Sequence, residues 1–433
     1  MRSSSVLDLL EAYESPNVTH LAPDRRWPIV WERALGCHVW TPEGRRYLDL
    51  TAAFGVAATG HANPAVVRAG QFQLARLPHA MGDVHPHPLK AQLARELSRW
   101  TFERWRAGTG RTVFCNSGFE AVEAALKTAR LATGKPGLIA FEGAYHGLGY
   151  GALNATHRDL FRQPFLDQLG GFARFVPFPS EPGRNGPTKS QVLKAIRDVL
   201  RREPIGAVLL EPIQVRGGVR IPPTGFLHDL RRLCNREGVV LILDEIYTGW
   251  GRTGKWFACE HESVVPDLVC LGKALTGGFP LSACVGRAEL MECAWPRSAG
   301  EAMHTSTFLG NPVGCAMALA QLKELRSRRL AGRAARLEAA LRNGLQAAAS
   351  RLRTLKGTVR IRGLLAGLEL RHHDGSPAGP EAFSVVQRLL DQGMILLPEG
   401  ASGEVIGLTP PLIIPEKELI RATRALGMAL ADD

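Results

Sequence analysis

Eight cysteines are spread through the 433 residues without a single CxxC pair, and several sit in apolar runs. That pattern argues against a disulfide framework or a thiolate zinc site and fits a reducing, cytoplasmic setting. No apolar run approaches membrane-spanning length. The first residues, MRSSSVLDLLEAYE, reach acidic side chains without a long apolar core, unlike a signal peptide. There is no HExxH, and no GxxxxGK is followed by the Ser or Thr of a phosphate loop, so neither a helix-borne zinc pair nor a phosphate loop of the Walker kind is present. Lysine is scarce, with ten in the whole chain. The net charge of +12 therefore comes mainly from arginine. These arginines are scattered, and their one dense zone, 326–353, alternates with Ala and Leu at helical spacing. A solvated helix face explains that zone better than a nucleic-acid patch, which would interleave aromatics. Attraction of anionic substrates is compatible with the charge.

What is present is an alternation of strand-like and helix-like segments. Strands are expected at 112–115, 137–141, 207–210, 239–243 and 268–271, with helices at 119–133, 191–202 and 225–237. Apolar strands separated by helices predict an α/β fold with a mostly parallel sheet covered on both faces. A Pro/Gly-rich connection spans 178–187. Farther on, a helical region at 315–350, broken near 330–332, precedes alternating segments at 359–370, 394–397 and 405–408 and a closing helix at 416–430. That part reads as a smaller α+β domain. Hairpin strands at 36–49, around a turn at 42–44, are candidates to join it. The division expected is 1–75 as an amino-terminal segment of the small domain, 76–310 as the large domain, and 311–433 as the rest of the small domain.

Chemistry concentrates at strand ends. Five apolar residues lead into Asp244-Glu245, and a second apolar run delivers Lys273 in front of Gly277-Gly278. A carboxylate at the carboxyl end of a central strand faces the crevice where α/β proteins bind ligands, although such a pair could equally cap the next loop. A desolvated lysine there is suited to Schiff-base chemistry, whereas a lone strand-end lysine commonly reaches solvent. Together they match pyridoxal phosphate (PLP), whose ring nitrogen must stay protonated while an amine bonds to its carbonyl. Ser117, Gly118 and Phe119 bridge a strand and a helix, where free N–H groups suit a phosphate. Tyr145, after the next strand, could stack on a planar ring or simply pack its loop.

Two motifs compete. His79, His85 and His87 with Asp83 could suggest a metal, but the rigid HPHP stretch and the lack of a second cluster favour a turn. No metal is expected. Gly249-Trp250-Gly251-Arg252-Thr253-Gly254 fits GxGxxG. Five residues, 244–248, separate it from its strand, and the stretch after Gly254 is too short for a crossover helix, so the dinucleotide reading is weak.

The segments NSGFEAVEAALKTAR, FEGAYHG, LLEPIQ, LILDEIYTGWGRTGKWFACEHESVVPDLVCLGKALTGGFPLSACVG, HTSTFLGNP and LTPPL, in this order, resemble the class III (ω-amino acid type) PLP-dependent aminotransferases of fold type I. The resemblance runs from about Gly36 to the carboxyl end. It implies that Lys273 carries the cofactor and that Asp244 partners the ring nitrogen. It also implies that Tyr145 and Ile246 flank the ring and that Gly118 and Phe119 hold the phosphate. Thr307 matches a threonine that reaches the phosphate of the neighbouring subunit, which implies a homodimer with shared sites. Glu211 and Gln214 match positions near ring and substrate, and Phe54 lines the pocket. Tyr247 stands where many relatives carry glutamine.

The resemblance implies transfer of an amino group from a small-molecule donor to a 2-oxo acid. Relatives acting on ornithine or 4-aminobutyrate often carry an arginine where this chain has Gly407, and the arginine some amine-type relatives place near Leu396-Leu397 is also missing. A fairly apolar pocket fits an amine or ω-amino acid donor better than a dicarboxylate. Arg216 and Arg162 are the candidates for the acceptor carboxylate. The same scaffold also serves amino-acid racemases and an aminomutase, which remain the alternative.

Overall fold

The computed structural model describes residues 1–181 and 186–431. Residues 182–185, within the connection expected at 178–187, and the last two residues lie outside the described residues. Seven strands form the central sheet: Gly110–Cys115 (β1), Gly137–Phe141 (β2), Ala173–Val176 (β3), Ile205–Leu210 (β4), Val240–Asp244 (β5), Leu268–Leu271 (β6) and Ser282–Arg287 (β7). Their order is β1-β7-β6-β5-β4-β2-β3. Neighbours from β6 to β3 are parallel, whereas β7 runs antiparallel to both β1 and β6. Every residue of β4, β5 and β6 is buried, which is why these strands read as unbroken apolar runs.

Register decides which residues meet. Leu210 lies opposite Leu243, and Asp244 opposite Cys270. Glu211 and Asp244 therefore leave adjacent strands at the same edge, and Lys273 follows two residues after β6 ends. The helix Gly118–Thr133 buries Ala121, Val122, Ala124, Ala125 and Ala129. Its alanine-rich face lets the axis lie close on the sheet, with its start aimed at that same edge.

A four-stranded antiparallel sheet (Lys356–Arg362, Leu365–Arg371, Val405–Leu408, Leu397–Glu399) and a second of four strands lie outside the central one. The latter joins Arg33–Leu35, His38–Trp40 and Arg46–Asp49 to Met394–Ile395, with Leu48 opposite Met394 in parallel. The amino-terminal hairpin thus pairs with the carboxyl-terminal part. Where the sequence predicts a single segment at 359–370, the chain forms a hairpin turning at Gly363. There φ is +61°, and a Cβ would lie 2.4 Å from the carbonyl carbon of Thr253, so only glycine fits. The long helical region divides at Arg329, in a left-handed conformation, into Pro312–Ser327 and Leu330–Ala349. Strands β3 and β7 have too few distinguishing residues to be read from sequence as separate strands.

Candidate active site

The carboxyl ends of β1, β2, β4, β5 and β6 open onto one crevice. Asp244 closes β5, and both of its oxygens are engaged. Oδ1 accepts from the Ile246 N–H at 3.1 Å, and Oδ2 lies 2.8 Å from Nδ1 of buried His146. A carboxylate only accepts, so the His146 proton sits on Nδ1. Among the described residues, that leaves Nε2 buried without a hydrogen-bond partner. His146 belongs to the FEGAYHG stretch, but sequence reasoning missed its role. Its one signal is adjacency to Tyr145 after a strand.

Of the strand-end pair, Glu245 takes the capping role. Its carboxylate accepts from Thr248, from the Ala258 N–H at 2.9 Å and from the Cys259 N–H at 2.8 Å. Asp244 is the one left facing the crevice. Lys273 adopts a positive φ of 44°, an uncommon conformation for a residue with a side chain. Its amine makes no hydrogen bond or ion pair among the described residues and lies 4.6 Å above the Tyr247 ring. Burial lowers its pKa, against the opposing pull of Asp244 and Glu211. The Tyr247 hydroxyl is 3.2 Å from Thr409 Oγ1, which donates to the Thr51 carbonyl at 2.9 Å. The ring of Tyr247, rather than its hydroxyl, therefore faces the lysine.

At the helix start, the Glu120 carboxylate accepts the N–H groups of Asn116 and Ser117, each at 2.7 Å. The next N–H groups, at Gly118 and Phe119, have no intrahelical acceptor. A Cβ at Gly118 would stand 3.1 Å from Ile246 Cδ1, so glycine keeps this backbone approachable. The Tyr145 N–H donates to Glu211 Oε2 at 3.1 Å, and the ring makes an edge contact with Phe161. Glu211 is buried, its other oxygen accepts from the Val215 N–H at 3.3 Å, and desolvation raises its pKa to about 7.

Other expected residues are placed differently from one another. The Gln214 amide donates to the Glu142 carbonyl at 3.0 Å and receives Arg220 at 3.4 Å, so it braces the loop after β2. Phe54 is exposed, and neighbouring Gly55 packs on Tyr247, where a Cβ would come within 2.9 Å. Thr307 is exposed, with its neighbour Ser306 3.2 Å from the Asn116 amide. Arg162 stacks on Phe175 of the edge strand β3, which takes it away from the crevice. Arg216 does face the crevice, 3.6 Å from Glu399. Glu399 is buried, and no local sequence signal marks it.

The competing motifs have structural uses. His87 caps the helix Pro88–Trp100, accepting from the Lys90 N–H at 3.3 Å, with its other ring nitrogen 2.7 Å from the Gly310 carbonyl. In the GxGxxG look-alike, Gly251 and Gly254 let the loop lie against Ala331 and Ala335 of the long helix Leu330–Ala349. Buried Arg252 there donates to the Leu364 and Pro410 carbonyls, at 3.0 and 2.5 Å.

A mostly parallel seven-stranded sheet that brings an unpaired lysine amine, a carboxylate–imidazole pair and an open helix start to one edge defines a fold type I PLP-dependent transferase. The profile described as Aminotransferase class-III matches residues 21–430, and the chain belongs to that family. It is 39% identical over 423 residues to acetylornithine aminotransferase of Methanopyrus kandleri, covering 97% of this chain and 99% of that protein. It is 36% identical over 410 residues to 2-aminoadipate transaminase of Pseudomonas putida, covering 94% and 96%. An amine transaminase from an uncultivated Pseudomonas species, solved with PLP bound, matches at a TM-score of 0.89 and 27% identity over 97% of this chain and 98% of that one. The protein is thus a PLP-dependent transaminase. Its own residues fit the cofactor: a lysine amine without a partner, an open helix start for a phosphate, and an Asp244 held by His146 for a protonated ring nitrogen.

Proposed function

We propose that this aminotransferase moves an amino group from a primary amine or an ω-amino acid of the 4-aminobutyrate kind to a 2-oxo acid such as pyruvate or 2-oxoglutarate. Bound PLP supplies a carbonyl that the donor amine can join and a ring that withdraws electrons from the reacting carbon. Lys273, with its pKa lowered by burial, is the group that takes a proton from the substrate carbon and returns it. Asp244, steadied by His146 and the Ile246 N–H, keeps a ring nitrogen protonated. Gly118 and Phe119 give N–H groups to the phosphate, Ser117 stands beside it with its own N–H held by Glu120, and Tyr145 and Ile246 bracket the ring. Tyr247 lines the lysine side, while Phe54, Glu211 and Gln214 border the substrate.

The observation that carries the donor assignment is the wall opposite Lys273. A Cβ at Gly407 would come within 3.0 Å of Glu399 Cγ, so Glu399 fills the space a longer side chain at 407 would use. Glu211 has backbone N–H partners and no salt bridge among the described residues. That wall suits an amine better than the second carboxylate of an α-amino dicarboxylate. Acetylornithine, named for one relative, also offers a terminal primary amine.

Exposed Met81, Val84, Met303 and Phe308 accompany exposed Thr307 and support a homodimer in which Thr307 serves the partner's phosphate. We place the large domain at 76–310 and the small domain at 1–75 plus 311–433, since Leu48 pairs with Met394 across that division. Free thiols throughout the described residues support a cytoplasmic location, and no helix among them is long and apolar enough to cross a membrane. The test is the visible spectrum of the yellow holoenzyme with 4-aminobutyrate, β-alanine or an arylalkyl amine, each added without acceptor. Bleaching by one of them, reversed by pyruvate or 2-oxoglutarate, is expected. Bleaching by α-amino dicarboxylates alone would refute the donor class.

A further inference from the structure

The Lys273 amine, without a hydrogen bond or ion pair among the described residues, lies over the face of the Tyr247 ring, 4.6 Å from its centroid. That ring is held from two directions. Its hydroxyl is 3.2 Å from Thr409 Oγ1, whose own proton goes to the Thr51 carbonyl at 2.9 Å, so the phenol must be the donor. Against the ring lies Gly55, where a Cβ would come within 2.9 Å of Tyr247 Cε1. Gly55 ends a left-handed turn in which Ala52, Ala53 and Phe54 take φ of 48°, 47° and 61°. Residues with side chains rarely enter that region, and three in succession store strain in one place. The Asp49 carboxylate holds the turn: it accepts from the Thr51 N–H at 2.8 Å, the Thr51 hydroxyl at 2.6 Å and the Ala53 N–H at 3.1 Å. The same turn packs against Lys273–Leu275, whose first residue is itself left-handed. Strained backbone under both partners thus fixes the amine over the ring.

We propose that Tyr247 is a positioning residue whose ring face holds the charged form of Lys273 while that lysine carries the substrate's proton. The inference rests on the aminotransferase reading. In that step a C–H bond breaks, its electron pair stays with the substrate carbon, and the proton makes a third N–H bond on the amine. A positive charge then appears where burial opposes it. Asp244, Glu211 and Glu399 favour that charge and Arg216 opposes it, yet none of them is paired with the amine. Asp244 has its oxygens committed to the Ile246 N–H and His146, and Glu211 to the N–H groups of Tyr145 and Val215. A ring face within about 6 Å attracts a desolvated ammonium. Burial keeps the phenol above its ordinary range, so it stays neutral and the attraction comes from the ring face rather than from a phenolate. Such an attraction favours protonated Lys273 by roughly three- to thirtyfold over an aliphatic neighbour.

The experiment reads the Lys273 amine directly. Holoenzyme charged with pyridoxamine phosphate, which leaves the lysine unbonded, is pulsed with acetic anhydride across a pH range. Mass spectrometry of the Lys273 peptide then gives the pH midpoint of acetylation. Tyr247→Phe keeps the ring and serves as the reference, and Tyr247→Leu removes it. A second series replaces Tyr247 by phenylalanines bearing one, two or three fluorines, which deplete the ring face of negative potential with little change in shape. Relative to Tyr247→Phe, the midpoint should lie about one pH unit lower in Tyr247→Leu and should fall stepwise with each fluorine. At a pH above every midpoint, bleaching of the yellow band by a saturating donor should slow in the same order, by about tenfold from first to last. Packing alone would leave both readings indifferent to fluorine number, and that result overturns the inference. A wild type that no amine bleaches would instead refute the donor reading, whereas the acetylation midpoints need no donor, so the two failures are separable.

Discussion

The floor of the crevice, around Asp244 and Lys273, and its outer wall, around Glu399 and Arg216, are built on different terms. On the floor each carboxylate oxygen of Asp244 has a partner at hydrogen-bond distance, 3.1 and 2.8 Å. On the wall the nearest approach of the ion pair is 3.6 Å, and one Glu399 oxygen is left over. The floor comes from consecutive parallel strands in one register, so its geometry is set by the sheet. The wall draws Arg216 from a loop after β4, Glu399 from an antiparallel strand and Gly407 from the next one. A fully partnered group is preorganised and holds charge in place, as catalysis at a fixed ring requires. A half-partnered one can exchange partners, as a site that receives two different substrates in turn requires.

The difference can be attacked from the floor first. Replacing Lys273 by Ala should abolish covalent cofactor attachment and lower turnover by about 10⁴-fold, read from the visible band and steady-state rates. Asp244→Asn keeps the shape but loses the charge; turnover should fall by roughly 10²–10³-fold while the cofactor still binds, measured by titration with PLP. If either variant retained near wild-type rates, the floor would be no more specialised than the wall.

Below the floor, Arg252 ties the loop after β5 to Leu364 and Pro410. Arg252→Met leaves those buried carbonyls unpaired and should cost about 2–4 kcal/mol, seen as a lower midpoint in denaturant. A smaller stability effect is expected on the wall, with opposite sign. The folded pKa of Glu399, about 7, lies above its ordinary value of 4.5. Wild type therefore loses stability as pH climbs between those values, because the unfolded carboxyl ionises first. Glu399→Gln escapes that loss and should be more stable than wild type by up to about 2 kcal/mol above pH 7, with the advantage vanishing near pH 4.5. Chemical denaturation across that range checks the sign. Finally, His146→Phe removes a partner of Asp244 without touching the substrate; about a tenfold drop in kcat is expected, accompanied by a shifted visible band.

The same contrast explains what could be read in advance. Asp244, Lys273 and the Gly118–Phe119 turn follow apolar runs, and local order along the chain announces such strand ends. The mostly parallel sheet was legible for the same reason. Strand β7 was not, because a short antiparallel insert between β6 and β1 has no separate signature. His146 was invisible as a partner of Asp244, since 98 residues separate them. Glu399 and Arg216 meet only through pairing of distant strands and loops, and Tyr247 turns its hydroxyl to Thr409 because the small sheet brings that residue beside it. Among the described residues Glu211 has no arginine partner, for a reason the sequence already displayed at Gly407, yet what filled the space was a carboxylate that only packing could reveal.

The central claim is that Lys273, alone among ten lysines, carries the cofactor. Reduction of the yellow holoenzyme with borohydride, followed by digestion and peptide mass spectrometry, locates the attachment directly. The account predicts a single pyridoxyl adduct on the peptide containing Lys273. An adduct on another lysine, with Lys273 unmodified, would contradict it.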